Sequence, residues 1–185
     1  LFHCAKFQVN TIAEKLIDST LQFFSHKCRI PNVKKLLIVS HSPSANARTL
    51  TEALVSGASS AEVNGVSIRQ QPPLQAQPED VQWADALILG TTENFGYMSG
   101  AMKDFFDRIY YPCLENTEGL PYALFIKAGL DGQGAKSSIE RIVTGLKWKQ
   151  AQETLICQGE FNTDFIVQCE ELGMTMAAGL EAGIF

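Results

Sequence analysis

The sequence is poor in every feature that marks a specialised chain. No apolar run approaches the roughly 20 residues a membrane-spanning helix needs, so no membrane partner is expected. Neither charge sign dominates: 15 Lys and Arg stand against 20 Asp and Glu, a formal charge of -5. That balance offers no basic field to gather nucleic acid, and it is too mild for a solvating acidic tail. The five cysteines (Cys4, Cys28, Cys113, Cys157 and Cys169) are odd in number, scattered, and nowhere in CxxC spacing. A disulfide framework and a metal site are therefore not expected, and a reducing, cytoplasmic compartment fits best. Most of these thiols read as packing residues. The N-terminus lacks the basic start, apolar middle and small-residue cleavage site of a secretory signal, and it opens at Leu1 rather than methionine.

What remains is ordinary globular material. With 185 residues, 45% hydrophobic and 19% charged, the chain has enough length for one domain with a substantial core. Residues 1–33 read as an extension in which Ile12, Leu16, Ile17, Leu21 and Phe24 keep a helical rhythm before Pro31 breaks it. From residue 34 onward the pattern changes. Leu36–Val39, Ala86–Gly90 and Tyr122–Ile126 are short unbroken apolar runs, as in strands covered on both faces. Thr154–Cys157 fits a last strand, and Val63–Ile68 fits a weaker one.

Helical spacing fills the gaps. Leu50, Ala53 and Leu54 share a face, with Gly57 placed to end that helix. Met98–Ile109 carries apolar residues at i, i+3 and i+4, and its Asp104 and Asp107 fall on the solvated side. Ile139–Leu146 gives another helix, and a closing one starts near Thr163. Pro72, Pro73 and Pro78 mark a longer loop, and Lys147-Trp148-Lys149 reads as a surface edge. Strands alternating with helices predict an α/β fold: a three-layer, doubly wound, five-stranded parallel sheet over 34–185.

In such a sheet, ligands sit beyond the carboxyl ends of the strands. Three loops qualify. Ser40–Arg48 is small and polar and leads into a helix start, where free amides favour an anion without a lysine; Ser44 or Asn46 reads equally as a plain helix cap. Thr91–Gly100 sets Phe95 and Tyr97 among polar groups, a mixture suited to a planar heteroaromatic ring. Ala128–Gly134 is glycine-rich. The chain has neither GxxxxGK[ST] nor GxGxxG. His41 has no matched nucleophile or acid near it, so no catalytic side chain is assigned.

The segments HSPSANARTL, TTENFGYMSGAMKDFFDR and KAGLDGQGA, each after a predicted strand, resemble those of the flavodoxin-like NAD(P)H-dependent FMN reductases and their quinone-reductase relatives. The resemblance runs from about Lys34 to the C-terminus and implies the flavodoxin-like strand order 2-1-3-4-5. It implies an FMN phosphate at Ser42, Ser44, Asn46, Ala47, Arg48 and Thr49. It implies a ring and ribityl chain against Thr92, Glu93, Asn94, Phe95 and Gly96, with the ring edge near Ala128, Gly129 and Asp131. The expected activity is an FMN-dependent oxidoreductase taking a hydride from NAD(P)H and passing electrons to a quinone, flavin or similar small-molecule acceptor; a homodimer is compatible with it. Alanine stands at 45 and 47, where that pattern favours glycine and a hydroxyl residue, and Leu130 where a polar residue is common. Two alternatives therefore stay open: a flavodoxin-type electron carrier, and a flavodoxin-like interaction module that has lost FMN.

Overall fold

The computed structural model describes residues 33–60, 63 and 65–185. The helix expected between Thr11 and Phe24 lies outside the described residues.

The three unbroken apolar runs become the central strands β1 (Lys34–Ser40), β3 (Ala86–Asn94) and β5 (Pro121–Ala128). Their side chains alternate between two cores. Leu36 and Ile38 of β1, Ala86 and Ile88 of β3, and Ala123 and Phe125 of β5 point into one. Leu37 and Val39, Leu87 and Leu89, and Leu124 and Ile126 point into the other. Helix α1 (Ala45–Ala58) and helix α5 (Asp164–Glu181) cover the first face. Helices α2 (Pro78–Trp83), α3 (Gly100–Cys113) and α4 (Gln133–Gly145) cover the second. A strand buried on both faces has no polar phase to show, which is why these runs do not alternate in sequence.

Strand β2 (Val66–Gln71) lies outermost, and the order runs β2-β1-β3-β5, all parallel. The fifth position is shared by two short strands, β6 (Lys149–Gln150) and β7 (Leu155–Gln158), both parallel to β5. Between the pairs Tyr122↔Gln150 and Phe125↔Leu155 the outer strand takes two residues more than β5. The architecture is the expected flavodoxin-like one, with its last strand divided. Among the described residues no helix is long and apolar enough to cross a membrane.

Three local expectations change. Gly57 does not end α1, which runs to Ala58. It sits where α1 meets α5, and a Cβ there would overlap the Glu170 carbonyl, as one at Gly173 would overlap that of Leu54. The two glycines let the helix backbones touch. Trp148 is buried, 6% exposed, not a surface edge; its indole N–H donates to Thr117 Oγ1 at 2.8 Å and its ring packs near Phe106. The stretch after Pro78 is a helix: proline suits its first turn, and Asp80 accepts the Gln77 N–H at 2.9 Å.

Candidate functional site

Strand β1 delivers the first loop. Buried Ser40 and half-buried Ser42 both hydrogen-bond to Thr51 Oγ1, each at 2.8 Å, and the Thr51 hydroxyl donates to the Ala47 carbonyl at 3.1 Å. This hydroxyl knot anchors the loop to the second turn of α1. Ser44 is the helix cap, its Oγ accepting the Ala47 N–H at 3.2 Å. The N–H groups of Ala45 and Asn46 in the first turn find no partner among the described residues, so they face outward as free donors at the positive end of α1. Alanine at 45 carries no strain: among described non-glycine residues only Phe95 and Lys147 have positive φ. Thr49 turns its hydroxyl back onto the Ala45 carbonyl at 3.2 Å. Arg48 is exposed and lines a cleft toward β2.

The second loop is a hairpin. Strand β3 continues past buried Thr91 to Asn94, turns at Phe95 and Gly96, and returns as β4 (Tyr97–Met98), pairing Glu93 with Met98 and Asn94 with Tyr97. Both turn residues are left-handed, with φ 53° and 69°, the geometry that matches the twist of two-residue hairpins. Phe95 is fully exposed at the tip and Tyr97 is 43% exposed.

The third loop joins the second through Glu93. Helix α4 starts at Gly132, which has φ 72° and no side chain to cap with. The Glu93 carboxylate supplies the cap from across the site, accepting the Gly132 N–H at 3.1 Å and the Ala135 N–H at 3.3 Å. A Cβ at Gly134 would overlap the Gly96 carbonyl, so hairpin and helix start lie backbone to backbone. Asp131 accepts the Gln133 N–H at 3.0 Å. Ala128 packs its methyl in the core and offers only backbone, its carbonyl accepting from Gly159 N–H at 2.9 Å and the Lys127 ammonium at 3.2 Å.

The three loops leave adjacent parallel strands, with Ser40 beside Gly90 and Thr92 beside Lys127; the His41 N–H donates to the Gly90 carbonyl at 2.9 Å. Sequence reasoning passed over Thr51 at this edge and gave His41 no role. Thr51 holds the loop, and the ring nitrogen Nδ1 of His41 is buried without a partner. Burial pushes the His41 imidazole below its usual range. Thr92 Oγ1 is likewise buried and unpartnered. Buried polar groups are nearly always satisfied, so two orphans on neighbouring strand ends mark a place built for a polar ligand. A Cβ at Gly96 or Gly129 would meet nothing within 4 Å, so the wall around them is open. Free helix-start amides for a phosphate, an orphan hydroxyl for a ring edge, and a rim of Phe95, Tyr97 and Leu130 suit FMN.

A parallel sheet in this order, carrying such loops at its carboxyl edge, defines a flavodoxin-like α/β protein. The chain belongs to the NADPH-dependent FMN reductase family, whose model matches residues 35–153. It is 31% identical over 112 residues to a flavodoxin of Aquifex aeolicus (strain VF5), a match covering 60% of each protein. Among solved structures, a flavodoxin from the domain Archaea superposes with TM-score 0.68 at 20% identity, over 80% of this chain and 99% of that one. The flavodiiron core of Flv1 from Synechocystis sp. PCC6803 gives TM-score 0.68 at 17% identity, over 92% of this chain and 41% of that one. Megasphaera elsdenii flavodoxin gives 0.64 at 17% identity, over 77% and 98%. These likenesses in structure concern the fold. Family match and fold agree in placing the chain among flavodoxin-like proteins of the NADPH-dependent FMN reductase family.

Proposed function

We propose that the chain is an FMN-dependent NAD(P)H oxidoreductase that reduces a quinone, flavin or similar small acceptor in the cytoplasm. The observation that carries this reading is the set of unused donors along one sheet edge: the Ala45 and Asn46 amides and the buried Thr92 hydroxyl, beside an open wall at Gly96 and Gly129. Bound FMN supplies the hydride and electron chemistry, so no side chain need act as a nucleophile. The protein supplies position. Ser42, Ser44, Asn46 and the first-turn amides of α1 would hold the phosphate, the dipole of the helix offsetting its charge. Thr92, Asn94 and the hairpin backbone would meet the ring, with Phe95 and Tyr97 excluding water from its face. Glu93, already spent on Gly132 and Ala135, fixes the distance between the second and third loops.

A carrier that passes electrons to another protein is the second reading, favoured by the likeness to the Aquifex aeolicus flavodoxin and by the fully exposed Phe95. Titrating the apo-protein with FMN, followed by anaerobic NADPH and NADH oxidation with a quinone present, separates the readings. FMN binding with multiple turnover supports the enzyme, and FMN binding without NAD(P)H oxidation supports the carrier. A folded protein that gives no more heat than a buffer blank rejects both.

A further inference from the structure

Three cysteines lie among the described residues, and all are buried. Cys113 sits in the core beneath α3, where its thiol donates to the Pro78 carbonyl at 3.8 Å and burial pushes it up to about 11. Cys157 and Cys169 share the opposite core, both fully buried, Cys157 on the outer strand β7 and Cys169 on α5. Their thiols meet, the Cys169 S–H donating to the Cys157 sulfur. The neighbour of Cys157 on β5 is Lys127, and paired residues of parallel strands leave the sheet on one face. Lys127 forms no ion pair among the described residues; its ammonium donates to the Ala128 carbonyl at 3.2 Å and to the Gly159 carbonyl, and lies over the Phe165 ring. The Cys169 contact and the Lys127 charge hold the Cys157 thiol below its ordinary range against the effect of burial, and the same contact, with burial, raises Cys169. A cleft of about 340 Å³ opens between the two elements that carry the pair, lined by Thr154 and Leu155 on one side and by Gln168 and Leu172 on the other.

We propose that Cys157 and Cys169 form a reversible disulfide when the protein meets a hydroperoxide, and that this bond latches the outer strand onto α5. Cys157 is the attacking sulfur, because the thiolate is the nucleophile and the Lys127 ammonium stands beside it. Its thiolate takes an oxygen of hydrogen peroxide and releases hydroxide, which picks up the thiol proton and leaves as water; the product is a sulfenic acid. The Cys169 sulfur then attacks the sulfenic sulfur, the S–O bond breaks, and the hydroxyl departs as a second water with the Cys169 proton. Two thiols are oxidised by two electrons, and one peroxide is reduced to two waters. Gly159, just beyond Cys157, donates its N–H to the Ala128 carbonyl at 2.9 Å, so the latch bears on the third loop as well as on β7. Cys113 has no thiol neighbour in its core and stays reduced.

The test treats the folded full chain with hydrogen peroxide, blocks the remaining thiols and cuts with a glutamyl endopeptidase. Cleavage after Glu160 puts the two cysteines on separate peptides, whereas no Lys or Arg follows Lys149 for trypsin to use. Mass spectrometry is expected to find the Cys157 and Cys169 peptides joined, released by dithiothreitol, with Cys113 a free thiol. Amide exchange over residues 155–159 should be slower in the oxidised protein than in the reduced one. In Cys169→Ala, dimedone should trap Cys157 as its sulfenic acid; in Cys157→Ala, Cys169 should remain a thiol. The mapping of the wild-type chain needs neither variant, so it decides the matter even where an alanine variant fails to fold. Free thiols at both positions, a bond that forms only in urea, pairing of either residue with another cysteine, a sulfenic acid at Cys169 in Cys157→Ala, or a joined pair with unchanged exchange overturns the inference.

Discussion

Replacing Glu93 with alanine separates positioning from direct contact at the site. The substitution removes two charge-assisted hydrogen bonds, at 3.1 and 3.3 Å, and leaves α4 with Gly132 as an N-cap that has no side chain. Hydrogen bonds to charged groups contribute about 1.5–3 kcal/mol each and ordinary ones about 0.5–1.5; at these lengths, and with the pair only half-buried, about 1–1.5 kcal/mol each applies, so about 2–3 kcal/mol in total. For a domain of this size 1 kcal/mol corresponds to roughly 2–4 °C, giving a fall in Tm of about 5–10 °C. Glu93→Gln keeps one acceptor oxygen and should lose about half as much. With its latch gone the hairpin is free to move from the third loop, and the ring wall loosens. FMN and riboflavin, which share the ring and differ in the phosphate, should then lose affinity by the same factor. Thermal melts and flavin-fluorescence titrations of the three proteins suffice. An unchanged Tm in Glu93→Ala refutes the cap, and a loss of FMN affinity without loss of stability means that Glu93 touches the ligand itself.

Three further outcomes are expected. Gly96→Val places a branched residue at φ 69°, costing upward of about 1–2 kcal/mol; FMN affinity should fall at least tenfold while the far-ultraviolet circular dichroism stays native, and unchanged affinity rejects the ring site. His41, held neutral by burial, binds fewer protons folded than unfolded, so its contribution to stability is complete above the ordinary value of 6.5 and declines as pH falls through its lowered folded value. The urea midpoint of His41→Gln should therefore fall less than that of the wild type between pH 7.5 and 5.5, and parallel curves would refute this. Deleting residues 1–31 should leave FMN affinity unchanged, since every candidate loop lies beyond Lys34; loss of binding in a deletion that remains folded would place part of the site in the extension.

How much of this could be read beforehand follows from the range of the interactions. Leu36–Val39 announces a strand because both its faces are covered, and the loops at its end and at the ends of Gly90 and Ile126 follow from topology alone. The hairpin was hidden because its turn is Phe95-Gly96, and the usual signal for that geometry is Asn-Gly. Glu93 read as a ligand contact because its partners, Gly132 and Ala135, are some forty residues away and present only backbone. Gly57 looked like a helix stop because a local reading cannot see Glu170 against it. Trp148 looked exposed between two lysines, and only the fold brings Thr117 and Phe106 to its ring. The short helix after Pro78 read as part of the loop because three prolines in seven residues outweighed its start signal, Pro78 with Asp80 two residues on.

The divided outer strand bears on how such a chain can change length. Ala151 still donates its N–H to the Tyr122 carbonyl at 2.8 Å; residues 152–154 then leave the ladder, which resumes at Leu155 opposite Phe125. The sheet thus already tolerates surplus chain at this point, on an outer edge. Added segments here would have their ends held in place by β6 and β7, so lineages could acquire an arm, or experimenters a reporter, at 152–154 while the loops at the carboxyl ends of the strands stay as they are.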